Sequence, residues 1–200
     1  LCCGCERNIA WYDLIPVISW VVLRGKCRYC DRKVSFYYVL VELFIGLVSY
    51  HFFKDMQFTF VLLAEYFFLL SFFLNVLTDF TNFTVYDPFL YVMVFIAGLC
   101  VLLRGEFLNG LFSGMAVVIF IVIVSYVVGL LVKKQAIGSG DYFVFFALGM
   151  IVSLAKILDI ILFASLLGII IALIFKKKKL PFFPLLFFGY MFVLFGGALL

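Results

Sequence analysis

The chain has 200 residues, of which 68% are hydrophobic, 20% aromatic and only 13% charged, with a formal net charge of +4. A water-soluble domain is nearer half apolar and a quarter charged, so this chain has too few charges to coat a globule in water. That excludes a soluble enzyme, a disordered segment and a nucleic-acid module; with 28 Phe against 4 Pro, the composition predicts packed helices in lipid.

Residues 1–36 are polar, and beyond them apolar runs cover 37–53, 58–77, 88–103, 111–132, 142–155, 158–175 and 182–200. A spanning helix needs about 17–25 residues. The runs at 88–103 and 142–155 are therefore short, and must borrow flanking residues, thin the bilayer or form partial spans. No run shows sustained alternation, and only closed barrels tolerate strands in lipid. The reading is an all-α polytopic membrane protein of about seven transmembrane helices, with a loop at 1–36 and a membrane domain at 37–200. The chain opens on Leu1 without the charged segment and cleavage site of a signal peptide, and is expected to begin inside a longer reading frame.

Seven crossings can be tested against the positive-inside rule. With residues 1–36 in the cytoplasm, that side holds Arg7, Arg24, Lys26, Arg28, Arg32, Lys33, Lys133, Lys134 and Lys176 to Lys179, twelve of the fifteen Lys and Arg. Lys54, Arg104 and Lys156 fall opposite. The same pattern gathers Asp79 and Asp87, in the loop after the second helix, and Asp141, just before the fifth, on the cytoplasmic face.

Cys2/Cys5 and Cys27/Cys30 form two C-x-x-C pairs with 21 residues between them. Four thiolates so spaced can surround a zinc ion tetrahedrally, and a reducing cytoplasm disfavours disulfides. A closed four-cysteine site has no open position for catalysis, so such a zinc organises the loop. Cys3 could replace Cys2 as a ligand, and a redox pair or a simple thiol cluster are the competing readings.

Asp79 follows an apolar run, and Asp141 closes Gly138-Ser139-Gly140-Asp141 ahead of another. Two carboxylates held together near the membrane surface can share one proton, giving an acid and a base that activate water for peptide hydrolysis. Glycines at 138 and 140 are expected to let backbone and substrate approach and to adopt conformations closed to other residues. The plainer alternative makes Asp141 an N-cap and Asp79 a solvated loop acid. Asp87-Pro88 reads as an N-cap followed by Pro at the first helical position, leaving Asp87 a secondary candidate.

Cys2-x-x-Cys5, Trp11 to Trp20, Leu23-Arg24-Gly25-Lys26-Cys27-x-x-Cys30 and Tyr38-Val39-Leu40-Val41-Glu42 follow one another in an order that resembles the N-terminal half of the type IV prepilin peptidases. Asp79, then Val85-Tyr86-Asp87 and Gly138-Ser139-Gly140-Asp141 look like that family's two catalytic blocks, the second its GxGD signature. Lys179-Leu180-Pro181-Phe182-Phe183-Pro184 looks like its late Pro-Phe-Gly-Pro block. The resemblance implies eight membrane helices with the cysteine loop after the first, which is missing here. It also implies that Asp79 and Asp141 are the catalytic pair, and that the substrate is a prepilin or pseudopilin with a basic leader and a hydrophobic helix. Cleavage would fall at the cytoplasmic face of the bacterial inner membrane. A bifunctional member would then methylate the new N-terminus with S-adenosylmethionine, and the cysteine loop is a feature of those members. The chain departs from the pattern at Tyr142-Phe143-Val144, where Lys is usual soon after the aspartate, at Phe183 for Gly, and at Tyr86.

Glu42 and Glu65 lie within apolar runs, where carboxylates are costly and suggest function. Glu42 matches a family block, and a role in methyl transfer stands beside a structural hydrogen bond. For Glu65, packing against a helix or a polar pocket is the expectation. Cys100 reads as a small apolar filler and Lys176 to Lys179 as an anchor at anionic headgroups. The rival classes are a proton- or ion-coupled transporter working through Glu42 and Glu65, and a non-catalytic scaffold whose zinc loop docks a partner.

Overall fold

Apolar runs bounded by charges and by short polar caps become helices here, because lipid leaves the backbone no other partner than itself. The computed structural model describes residues 1–2, 4–54, 59–82, 87–133, 137–176 and 181–196. Cys3, Val85, Tyr86, Lys134 and Lys177 to Leu180 lie outside the described residues, as does the Asp87 side chain. Among the described residues a 3-10 helix at Trp11–Leu14 and α1 (Ile18–Val22) precede α2 (Phe36–Phe53), α3 (Phe60–Asn82), α4 (Asp87–Leu103) and α5 (Phe107–Val132). Then come α6 (Ser139–Ile151), α7 (Leu154–Phe175) and α8 (Phe182–Gly196).

Ser35 caps α2 by accepting the Tyr37 N–H at 3.3 Å, and Thr59 caps α3 by accepting that of Leu62 at 3.1 Å. Both α5 and α7 end on a lysine in the left-handed region, Lys133 at φ 55° and Lys176 at φ 49°. The spans Phe36–Phe53, Phe60–Asp79, Phe107–Leu131 and Leu154–Ile174 are long and apolar enough to cross a bilayer. Pro88–Leu103, Ser139–Ile151 and Phe182–Gly196 are apolar but shorter. The 13 residues of α6 reach about 20 Å against a hydrocarbon thickness of about 30 Å, so four of the described helices span a bilayer by length alone, and the three shorter ones need flanking residues or a locally thinner bilayer, as the sequence anticipates.

The chain divides into two compact units, Leu1–Phe58 and Thr59–Leu200. In the first, the Trp20 indole N–H donates to the Val34 carbonyl at 3.0 Å and its ring meets Phe36 edge-on at 5.3 Å. Gly25, at φ +70°, lies under that indole, where a Cβ would stand 2.8 Å from the ring. In the second unit α3 packs on α4 and α8, α6 on α4 and α5, and α7 on α8. Phe68, Phe72, Phe145 and Phe183 are fully buried there, while Phe112, Leu131 and Leu173 point outward as a lipid-facing surface requires.

Apolar side chains gain little by leaving lipid for one another, so helices hold through close packing. A Cβ on Gly149 would stand 3.0 Å from the Gly114 Cα, and one on Gly189 would stand 2.6 Å from the Ile160 carbonyl oxygen. These glycines let α5 meet α6 and α7 meet α8 at backbone distance.

Three boundaries differ from expectation. Helix α3 continues past its last apolar residues to Asn82, because i to i−4 bonding needs no apolar side chain, so Asp79 lies inside a helix and not in a loop. Helix α6 begins at Ser139, which places Asp141 in its first turn instead of ahead of it. The break between α6 and α7 falls at Val152 and Ser153, both extended with ψ 153° and 155°, and Lys156 is helical.

Candidate active site and metal centre

Ser71, Asn75 and Asp79 succeed one another at four-residue intervals and so share one face of α3. All three are buried. The Ser71 hydroxyl donates to the Phe68 carbonyl at 2.8 Å. The Asn75 amide donates to the carbonyls of Ser71 at 2.9 Å and Phe89 at 3.2 Å, tying the start of α4 to α3. Its own Oδ1 is buried with no partner among the described residues.

One turn further on, Asp79 is 7% exposed and its Oδ2 accepts the backbone N–H of Phe183 at 3.2 Å. Phe183 belongs to the first turn of α8, whose leading N–H groups have no carbonyl within the helix and whose dipole favours a carboxylate. The sequence pointed to the Pro181-Phe182-Phe183-Pro184 block, but not to its backbone as the partner of Asp79.

Asp141 sits at the third position of α6, and its Oδ2 accepts the Gly138 N–H at 3.0 Å. Phe145, one turn along, meets Phe182 at 6.0 Å, so α6 and the start of α8 enclose the same space. Gly138 adopts φ −74° and ψ 156°, which any residue can take, and Gly140 is helical without a positive φ. The expected conformational need for these glycines is thus not met. A Cβ on Gly138 would instead lie 3.4 Å from the Asp141 Oδ2. Tyr142, where Lys was noted as usual, donates its hydroxyl to Ser125 of α5 at 3.3 Å. Helix α4 starts at Asp87.

In the first unit the two C-x-x-C segments fold as matching knuckles. Cys2 N–H donates to the Arg7 carbonyl at 3.0 Å and Glu6 N–H returns to the Cys2 carbonyl at 2.8 Å. Cys27 and Arg32 pair at 2.9 Å, and Asp31 and Cys27 at 3.2 Å. Glu6 and Asp31, each following the second cysteine of its pair, both take φ 53°.

The four Sγ atoms of Cys2, Cys5, Cys27 and Cys30 lie within 4.8 Å of one another, a cluster able to hold a metal ion. Cys2 and Cys30 are 3.7 Å apart, close to the edge of about 3.8 Å that four Zn–S bonds of about 2.3 Å produce. Backbone N–H groups of Gly4 and Cys5 and the Cys27 thiol pull the Cys2 thiol down to about 6. Cys30 feels a lowering from the Arg32 N–H, but desolvation and the neighbouring thiols push it up to about 12. Arg28, between the second pair, grips Asp13 with both a 2.9 Å and a 2.6 Å hydrogen bond, holding that carboxyl below the usual carboxylate range.

Glu42 accepts the Val17 N–H at 2.8 Å, and Val17 holds φ 62°. Glu65 pairs with Arg104 at 2.6 Å, and Cys100 is fully buried in the apolar core.

A helical membrane protein with two buried or half-buried aspartates at neighbouring helix ends, and a separate four-thiol cluster, is thereby defined. Residues 66–173 match the type IV leader peptidase family, and residues 1–56 match the bacterial peptidase A24 N-terminal domain. The chain belongs to this peptidase family. It is 27% identical to a prepilin leader peptidase/N-methyltransferase of Vibrio cholerae over 85% of its own length and 68% of the relative's. To the enzyme of that name from Pectobacterium carotovorum it is 30% identical, over 94% of the chain and 71% of the relative. For the Myxococcus xanthus enzyme the figures are 26%, 86% and 52%, so the chain spans about half of that protein. No solved structure matches.

Proposed function

We propose that the chain is a membrane-embedded aspartic endopeptidase that removes the basic leader of a prepilin or pseudopilin at the cytoplasmic face of the inner membrane, and that Asp79 and Asp141 are its catalytic pair. The observation that carries this reading is that both acids converge on the start of α8: Asp79 accepts the Phe183 N–H, and Phe145, one turn from Asp141, packs on Phe182. One carboxylate takes a proton from water as its oxygen bonds to the scissile carbonyl carbon. The other protonates the amide nitrogen as the C–N bond breaks, releasing an acid and an amine. The pair titrates as a unit, so neither aspartate owns either role. The twelve-to-three distribution of basic residues supports placing this end of the bundle in the cytoplasm.

Zinc on Cys2, Cys5, Cys27 and Cys30 would hold the two knuckles together in a closed tetrahedron, a structural role. S-adenosylmethionine, which supplies an electrophilic methyl group, would be held in the first unit, where a cavity of about 710 Å³ is lined by Glu42, Trp20 and Tyr38 among others. Glu42 would face its positive charge, and the aromatic rings its base. Co-expression with a prepilin tests both halves by mass spectrometry of the mature pilin. Cleavage with a methylated N-terminus is expected. An uncleaved pilin sinks the peptidase reading, and a cleaved but unmodified amine sinks only methyl transfer.

A further inference from the structure

The second unit holds a cavity of about 490 Å³ at the end of the bundle away from the aspartates. Along α3, Glu65 lies fourteen residues before Asp79, about 21 Å at 1.5 Å per residue, and on α6 the cavity meets Ile151, at the opposite end from Asp141. Its charged lining is Glu65, Arg104 and Lys156, which leaves one positive charge in excess. Arg104 donates to Glu65 at 2.6 Å and to the Ile151 carbonyl at 2.9 Å, using two of its five N–H groups. Lys156 has no ion pair or hydrogen bond among the described residues.

Two further features converge on this space. Tyr190 lines it while 95% buried, and its hydroxyl has no hydrogen-bond partner among the described residues. Among the described residues Asn75 Oδ1 is the buried side-chain atom left unpaired, so the Tyr190 hydroxyl opens onto the cavity it lines and is free to donate there. The N-terminus of α7 also opens here: Ser153 and Lys156 line the cavity, and the Ser153 side chain does not cap the helix. The leading N–H groups of a 22-residue helix therefore present partial positive charge to the same volume. Val193 and Leu194 add an apolar wall.

We propose that this cavity binds a phosphate-bearing ligand, its anionic oxygens taken by Arg104, Lys156, the Tyr190 hydroxyl and the N-terminus of α7. A phosphodiester lipid headgroup suits the place, since its acyl chains can leave over the apolar wall, and free glycerol phosphate carries the same recognised chemistry. The site is independent of the aspartate pair and of the peptidase reading.

The full chain in detergent, stripped of lipid, is titrated with phosphatidylglycerol, with diacylglycerol of the same chains, and with glycerol phosphate. Native mass spectrometry and thermal shift read the binding. Phosphatidylglycerol is expected to bind and diacylglycerol not, and Lys156→Gln with Tyr190→Phe should weaken binding about tenfold or more. Lys156 is exposed and Tyr190→Phe preserves shape, so unchanged helix content in the double variant separates loss of the site from loss of the fold. Binding of phosphatidylglycerol alone supports the lipid source, and equal affinity for glycerol phosphate supports the free anion. If neither phosphate compound binds, or if the double variant binds as the parent does, the proposal is overturned.

Discussion

Neither short helix of the cysteine segment buries a single residue, whereas α6 alone buries Val144, Phe145, Ala147, Leu148, Gly149 and Met150. The first region is held by backbone turns, four converging thiols and the Arg28–Asp13 pair. In the second, Phe72 meets Phe187 at 5.2 Å, and α7 touches α8 through Gly189. A polar segment too small for a core needs covalent or coordinate ties, while helices in lipid need shape. Each region should therefore fail to a different kind of change.

The largest effect is expected at the thiols. Cys27→Ser with Cys30→Ser should take bound metal from about one per chain to none and make residues 1–36 protease-sensitive. Closed zinc sites are worth on the order of 10 kcal/mol, more than so little packing can replace. Metal analysis of the purified, reduced parent chain checks this, and finding none there would erase the contrast. Next in size is packing. Gly189→Ala should lower stability by about 1–3 kcal/mol, because its Cβ meets the Ile160 carbonyl oxygen at 2.6 Å. Gly46→Ala, with nothing within 4 Å, should cost nothing and can gain up to about 1 kcal/mol. Thermal unfolding in one detergent compares the two.

The smallest effect concerns Asp13, whose folded carboxyl is held below its unfolded value by Arg28. A depressed carboxyl contributes stability above the unfolded value of about 3.9 and loses that contribution as pH falls through the folded value. Asp13→Asn should thus be less stable than the parent at neutral pH, with the gap closing in acid. An unchanging gap from pH 7 to pH 3 would remove the ion pair from the account.

Much of this was legible from the residues. Helices α2 and α4 lie within one residue of the apolar runs 37–53 and 88–103, because Lys54 and Arg104 mark where burial in lipid ends. The cysteine spacing led to a real cluster because two tight turns make each C-x-x-C a local unit. What stayed hidden depends on contacts remote in sequence. Arg104 reaches Ile151, 47 residues away, and Phe183 reaches Asp79 across 104. The polar face of Ser71, Asn75 and Asp79 carried a readable four-residue spacing, yet the apolar run around it drew attention only to its end. Lys156 was misplaced because a charge suggests a loop, whereas an extended Ser153 had already begun the helix.

The central claim is that Asp79 and Asp141 act as one unit on a single water. The most direct measurement is the rate of prepilin cleavage by the parent chain, Asp79→Asn, Asp141→Asn and the double variant, in matched membranes. Groups that act together are not additive, so each single change should lower the rate about 10³-fold or more and the double change should lower it no further. A single variant that still cleaves within tenfold of the parent, or a double variant whose loss is the product of the two singles, would contradict it.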